Sequence, residues 1–264
     1  MRPGFAVPAM ALVPAFALVL ALWGGIAGTA RAASEAKHPP RQEWTFNGVF
    51  GTFDRAALQR GFQVYQKVCS TCHAVKHLYF RDLAALGYSE DELKGIAAQV
   101  QVNDGPNDTG EMFQRPGRPS DPIPGPFPND QAARTANNGA LPPDLSLITK
   151  AREGGEDYIY AILTGYKDAP AGVKMNQNMS YNEYFPGHQI AMPPPLVEGP
   201  VEYADKTPAT VPKMAHDVVS FLAWAAEPTL EERHRTGFKV MLFLIVAAGL
   251  LYATKRKVWA RIHH

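Results

Sequence analysis

Only two cysteines occur in the 264 residues, and both stand in the run Cys69-Ser70-Thr71-Cys72-His73. Two thiols separated by two residues and followed at once by an imidazole suit the covalent attachment of one haem. The thiols add to its two vinyl groups, and the histidine then lies beneath the iron as an axial ligand. A chain with this run must fold around that group. The cysteine count excludes a disulfide framework and a four-cysteine zinc site. Two other readings use the same residues. A thiol–disulfide redox pair needs only Cys-x-x-Cys, but it sits beside a strand–helix unit, and no such unit is visible here. A zinc site would recruit Cys69, Cys72 and His77 with some fourth ligand, and no second cysteine pair completes it. Covalent haem is the reading the run fits best.

The ends of the chain place this motif outside the cytoplasm. Arg2 opens the chain with positive charge, an apolar stretch runs from Ala9 to Ala27 with Pro14 inside it, and Ala30-Arg31-Ala32 has the small-residue pattern of a cleavage site before Ala33. Near the other end, Val240 to Thr254 carry no charge, and with Gly237, Phe238 and Lys239 the apolar segment reaches 18 residues. As a helix that is about 27 Å, enough to span when Lys239 snorkels to the surface. Lys255-Arg256-Lys257 then stops translocation and favours the cytoplasmic side. Arg233, Arg235 and Lys239 precede the span and weaken that bias, so the orientation rests on the export signal. The expected plan is a signal peptide at 1–32, an exported domain at 33–228, a membrane anchor at 229–258 and a cytoplasmic tail at 259–264. All 25 acidic residues lie between Glu35 and Glu232 with 17 basic ones, a net charge of −8 that excludes a nucleic-acid binder.

Between the ends the pattern is helix and loop. Leu58, Phe62, Tyr65 and Val68 recur at helical spacing over Phe53 to Val68, with Asp54 as a start signal and Gly61 beside the apolar face, where it permits a close helix crossing. Residues 78–101 suggest a second, less regular helical region. Seven prolines between 103 and 130 predict a long irregular insertion rather than helix or strand. Glu153 to Thr164 can form a helix, and Val173 to Val211 read as irregular. Pro212 starts a helix with Met214, Val218, Phe221, Leu222 and Ala225 on its inner face, ended by Pro228. Thr229-Leu230-Glu231-Glu232 resembles a capping box that opens the anchor helix. The expected fold is therefore mainly α: a helical c-type cytochrome core, in which the helix from Asp54 crosses the helix from Pro212, with long irregular loops and one C-terminal transmembrane helix.

A haem held by His73 needs a sixth ligand or an open position. Met192 stands before Pro193-Pro194-Pro195, which restrains the backbone so that its thioether loses little entropy on binding iron. His188 is the rival in the same segment; Met112, Met175, Met179 and Met214 are weaker. A histidine–methionine pair raises the potential and leaves no open position, which suits electron transfer.

These runs together identify a family. Gly110-Glu111-Met112-Phe113-Gln114-Arg115-Pro116, Asn137 to Ser146, Gly154 to Tyr158, Leu163 to Tyr166, Tyr184 to Pro194 and Phe221 to Pro228, with the cysteine–histidine run, resemble cytochrome c1 over roughly residues 40–260. That family is the membrane-anchored cytochrome of the quinol–cytochrome c oxidoreductase (cytochrome bc1) complex. The resemblance implies one covalently attached haem c held by Cys69 and Cys72, with His73 and Met192 on the iron. It also implies Arg152 near a haem propionate, Tyr158 beside the haem, and the segment Asn137 to Pro143 packed against it. It implies electron transfer from a Rieske iron–sulfur protein to cytochrome c, with cytochrome b and the Rieske protein as partners in a dimeric complex. The place implied is a bacterial inner membrane, single-pass, with the haem domain on the periplasmic side. Glu90-Asp91-Glu92, Glu153, Glu156 and Asp157 are the acidic clusters expected to steer a basic cytochrome c.

Overall fold

Two helices cross at a glycine, and the rest of the domain is built on that crossing. The computed structural model describes residues 36–261; the expected export signal lies outside them. Helix α1 is Arg55–Lys67, and Asp54 caps it by accepting the Ala56 N–H at 2.9 Å. It buries Leu58, Gly61, Phe62 and Tyr65 along one face. Helices α2 (Glu90–Ala98), α3 (Asp130–Ala136) and α4 (Gly155–Thr164) follow, then α5 (Val211–Ala226), which starts on Thr210 and Pro212. A Cβ built on Gly61 would lie 2.0 Å from the Asp217 carbonyl oxygen of α5, so the two backbones meet where no side chain fits. Phe62 and Phe221 pack at 5.5 Å beside this contact, and Met214, Val218, Phe221, Leu222 and Ala225 are all buried. The fully buried Asp217 accepts from Arg60 at 2.9 Å and Lys213 at 2.8 Å, so its charge is paired inside the crossing.

Helix α4 packs on α5. Trp44 closes this side, with its indole N–H on Asp157 at 2.8 Å and its ring stacked 4.6 Å from His216. The weakly helical stretch after residue 78 is a 3-10 segment, Phe80–Leu86, and then α2. Glu90, Asp91 and Glu92 are the first turn of α2. Glu92 accepts the Ser89 N–H at 2.7 Å in a capping box, and Lys94 pairs with Glu90 and Asp91, so helix-end electrostatics account for that acidic cluster.

The expectation of an irregular stretch without strand over 103–130 is corrected. Strand β1 (Gln101–Asp104) pairs antiparallel with β2 (Phe113–Pro116), and α3 begins at the far end of the stretch. Both strands are short and largely exposed on both faces, so neither has an apolar alternation to read. The Arg115 guanidinium holds the ribbon together, bonding Asp104 and meeting Asp121 at 2.6 and 3.0 Å. A second small pair, β3 (Ser180–Tyr181) with β4 (Gln189–Ile190), lies in the stretch expected to be irregular after residue 173.

The last helix, α6, is Leu230–Trp259; its 30 residues bury nothing, and it is long and apolar enough to cross a membrane. The expected capping box at its start does not form, because Thr229 makes no side-chain cap. Glu231 turns back onto the domain instead. It accepts the Phe53 N–H and the Arg55 guanidinium, both at 2.8 Å. These bonds fix the start of α6 on the domain through the residue next to Glu232, the acid that the expected box would have used.

Candidate functional site

The motif is folded back on the end of α1. Cys69–Thr71 make one 3-10 turn, the Cys69 carbonyl accepts the His73 N–H at 2.8 Å, and Ser70 and Thr71 return their hydroxyls to the Gln66 and Val68 carbonyls, both at 2.7 Å. Both thiols are free and half-buried. Burial, with the neighbouring Cys72, pushes the Cys69 thiol up to about 12. A thiol–disulfide catalyst needs the opposite, a stabilised thiolate. Among the described residues no group of three or more His, Cys, Asp and Glu side chains is placed to hold a bare metal ion, which leaves the zinc alternative without geometry.

The imidazole of His73 has one nitrogen already committed. Nδ1 lies 2.7 Å from the Pro143 carbonyl, which only accepts, so Nδ1 carries the proton and the Nε2 lone pair is free. Burial lowers the His73 pKa, favouring the neutral ring that a metal ligand requires. The segment bearing Pro143 is zipped to the one bearing His73. Leu145 donates to the Ala74 carbonyl at 2.8 Å, Asp144 accepts the Lys76 N–H at 3.0 Å, and Ser146 Oγ accepts the His77 N–H at 3.1 Å. Asp144 also accepts the Ser146 N–H at 2.9 Å. Burial alone would push the Asp144 carboxyl up, but the bonds from Ser146 and Lys76 outweigh it and hold the group below the usual carboxylate range.

Met192 is half-buried just after β4, and its carbonyl accepts the Tyr166 hydroxyl at 3.1 Å. His188 is engaged elsewhere. Its backbone is left-handed with φ 58°, its ring stacks on Tyr181 at 5.4 Å, and its Nδ1 lies 3.2 Å from the Asn182 carbonyl. Fully buried Asn182 joins this loop to α4 by donating to the Ile162 carbonyl at 2.8 Å and accepting the Tyr184 N–H at 3.1 Å. Arg152 is exposed, with its guanidinium on the Ala151 carbonyl at 3.0 Å. Tyr158 is half-buried on α4, where burial raises its phenol and nearby Arg152 tempers the shift.

Sequence reasoning missed Asp144, Ser146, Asn182 and Tyr166. An Asp two residues before a Ser is a local turn signal, so the first pair was findable. Tyr166 ends one of the runs that carry the family resemblance, though without a role there, and nothing local marks Asn182. The donor set fits a covalently held haem: two free thiols on one turn, an imidazole with Nε2 released, and a neutral thioether in a proline-restrained loop.

Comparison with known proteins agrees with this chemistry. The model of the "Cytochrome C1 family" matches residues 44–262. A protein named cytochrome b/c1 from Bradyrhizobium diazoefficiens is 50% identical over 277 residues, covering 97% of this chain; the chain spans only 40% of that longer protein. A mitochondrial haem protein of Solanum tuberosum, cytochrome c1-2, is 52% identical over 235 residues, which are 88% of this chain and 90% of the relative. Cytochrome c1 of Rhodospirillum rubrum is 48% identical over 255 residues, 90% of this chain and 94% of the relative.

Proposed function

The chain belongs to the cytochrome c1 family, and on that premise we propose that it is the haem subunit of a cytochrome bc1 complex that takes electrons from a Rieske iron–sulfur protein and passes them to cytochrome c. Cys69 and Cys72 hold the haem by thioether links, with His73 Nε2 and the Met192 sulfur on the iron. When bound, the haem supplies one-electron chemistry. The chain supplies everything around it. The Pro143 carbonyl fixes the tautomer and plane of His73 and raises its basicity. Tyr166 positions the Met192 backbone from outside the iron. Arg152 meets a propionate, and Tyr158 packs beside the ring. The domain faces the periplasm of a bacterial inner membrane, held by α6, beside cytochrome b in a dimeric complex.

The His73 to Pro143 bond carries this reading, because it frees the one nitrogen that the motif needs. Detergent extraction followed by purification through this chain tests the assembly: a b-type haem protein and an iron–sulfur protein should accompany it. Isolation of the chain alone, from membranes that contain both, overturns the assignment to the complex. Carbon monoxide should not bind the reduced haem; binding in the intact protein would show an open position and remove Met192 from the iron. Electron transfer to a basic cytochrome c should slow steeply as salt rises, because residues 35–232 carry the −8 balance. A rate that stays flat with salt rules out steering.

A further inference from the structure

Residues 44–53 carry no charge and fold into a tight projecting turn. Its base is buried: Trp44, Phe46 and Phe53 all belong to the core, with Phe46 and Phe53 rings 4.9 Å apart. Thr52 donates to the Thr45 carbonyl at 3.0 Å and Gly51 to the Gly48 carbonyl at 3.2 Å. A Cβ on Gly51 would lie 2.3 Å from the Phe46 backbone, and Gly48 has φ 81°, so the chain doubles back through two positions that suit only glycine. At the tip of this rigid turn, Val49 is 67% exposed and Phe50 81% exposed. Two adjacent large apolar side chains on an ordered turn, turned away from a core within reach, mark a contact surface.

The place of the turn identifies what it touches. Glu231, in the first turn of α6, ties down its base through the Phe53 N–H and Arg55. The Phe50 ring lies 6.2 Å from Phe238, and an open groove of about 630 Å³ between the turn and α6 is lined by Val49, Phe238 and Met241 together with Glu156, Arg233 and His234. Phe238 belongs to the first turn of the apolar segment that runs to Thr254. The tip is thus level with the start of the span. That span, about 27 Å, is slightly shorter than a hydrocarbon core of about 30 Å, so its upper boundary falls at this height. Arg233, Arg235 and Lys239 surround the same level, as cations do near anionic headgroups, and aromatic rings favour that depth.

We propose that the Gly48–Gly51 turn is a second membrane contact, with Val49 and Phe50 inserted among the phospholipids beside α6. A helix alone leaves a domain free to tilt about one attachment. A rigid wedge braced on the same helix by Glu231 adds a second point and sets how the domain stands over the bilayer.

The test uses the full chain in its native complex, reconstituted into vesicles of phosphatidylcholine and phosphatidylglycerol. A nitroxide is placed at Phe50→Cys and, as an aqueous reference, at Asp91→Cys, whose side chain is 96% exposed. Power saturation is measured with oxygen, which concentrates in lipid, and with a water-soluble nickel chelate. Insertion predicts a several-fold excess of oxygen over nickel access at position 50, and the reverse at position 91. Nickel access at position 50 equal to that at 91 would place the turn in water. Protection from both reagents would show a protein subunit over it. Either result overturns the proposal. Val49→Cys carries the same readout if the Phe50 variant fails to assemble.

Discussion

His73 and Met192 sit in segments of opposite construction. His73 follows α1 within one 3-10 turn, and the loop residues after it are zipped to 143–146 by backbone and carboxylate bonds. Met192 lies in a stretch whose regular structure amounts to the two-residue pairing of β3 with β4 and one 3-10 turn. That stretch meets the residues just after α4 through the Tyr166–Asn182 bridge and the Glu183 N–H on the Gly165 carbonyl at 3.1 Å, and α4 itself through the Asn182 amide; around Met192 the tie is the Tyr166 hydroxyl. The proposed ligand His73 is therefore tied to the helical core and should fail only when the core fails. The proposed ligand Met192 lies in a loop with little regular structure, so a link from it to iron should be separable from folding.

The largest effect comes from breaking what the His73 side stands on. Gly61→Val puts a side chain where the Asp217 carbonyl already lies, and should cost about 3 kcal/mol or more, enough to prevent accumulation of the haem-loaded protein. Normal thermal unfolding of that variant would show the crossing to be adaptable. The Met192 side predicts a different outcome. Met192→Leu should keep covalent haem and a near-wild-type melting temperature. Its reduction potential should fall by more than about 0.1 V, a fraction of the ~0.8 V that axial ligation commands. His188→Ala should leave the potential unchanged. Near-infrared and EPR spectra of the wild type and both variants decide the matter: a bis-histidine signature in the wild type that is lost in His188→Ala, but kept in Met192→Leu, reverses the ligand assignment.

Smaller changes sharpen the contrast. Asp144→Ala removes the carboxylate bonds to Lys76 and Ser146 and should cost about 2 kcal/mol, reduced by the partial solvent exposure of the group. Because the folded carboxyl is held below its usual range, its contribution is present above the unfolded value of about 4 and is lost as pH falls through the folded value. The difference in stability between wild type and Asp144→Ala should accordingly shrink below about pH 4, and a constant difference in acid unfolding curves would remove the carboxylate from the account. Tyr166→Phe is the mildest change. Loss of one hydrogen bond to the Met192 carbonyl, about 1 kcal/mol, should make displacement of Met192 by imidazole about fivefold easier without changing the melting temperature. A fall in stability with unchanged imidazole affinity would make Tyr166 a packing residue only.

The legible parts of the molecule are those that local pattern controls. The face Leu58, Phe62 and Tyr65, the Asp54 cap and the Gly61 crossing are all where helical spacing places them, and so is the buried face of α5. The ribbon of β1 and β2 was not legible, because an ion-pair hub at Arg115 holds it rather than an apolar alternation. The start of α6 shows the same limit: Thr229 makes no cap, and Glu231, beside the Glu232 of the expected box, is bound to Phe53, 178 residues away in sequence.

By itself the sequence pointed to the family, to the turn that carries the cysteine–histidine run and to one C-terminal helix long and apolar enough to cross a membrane. Cys69, Cys72 and His73 must share one turn, and the uncharged run to Thr254 cannot stay in water, whatever the rest of the chain does. Only the tertiary structure decided which carbonyl takes the His73 proton, 70 residues further along the chain, and which groups occupy His188. Those contacts join residues with no common period or spacing. They exist because the crossing of α1 with α5, and α4 packed upon it, bring distant loops together and leave their buried polar groups no other partners.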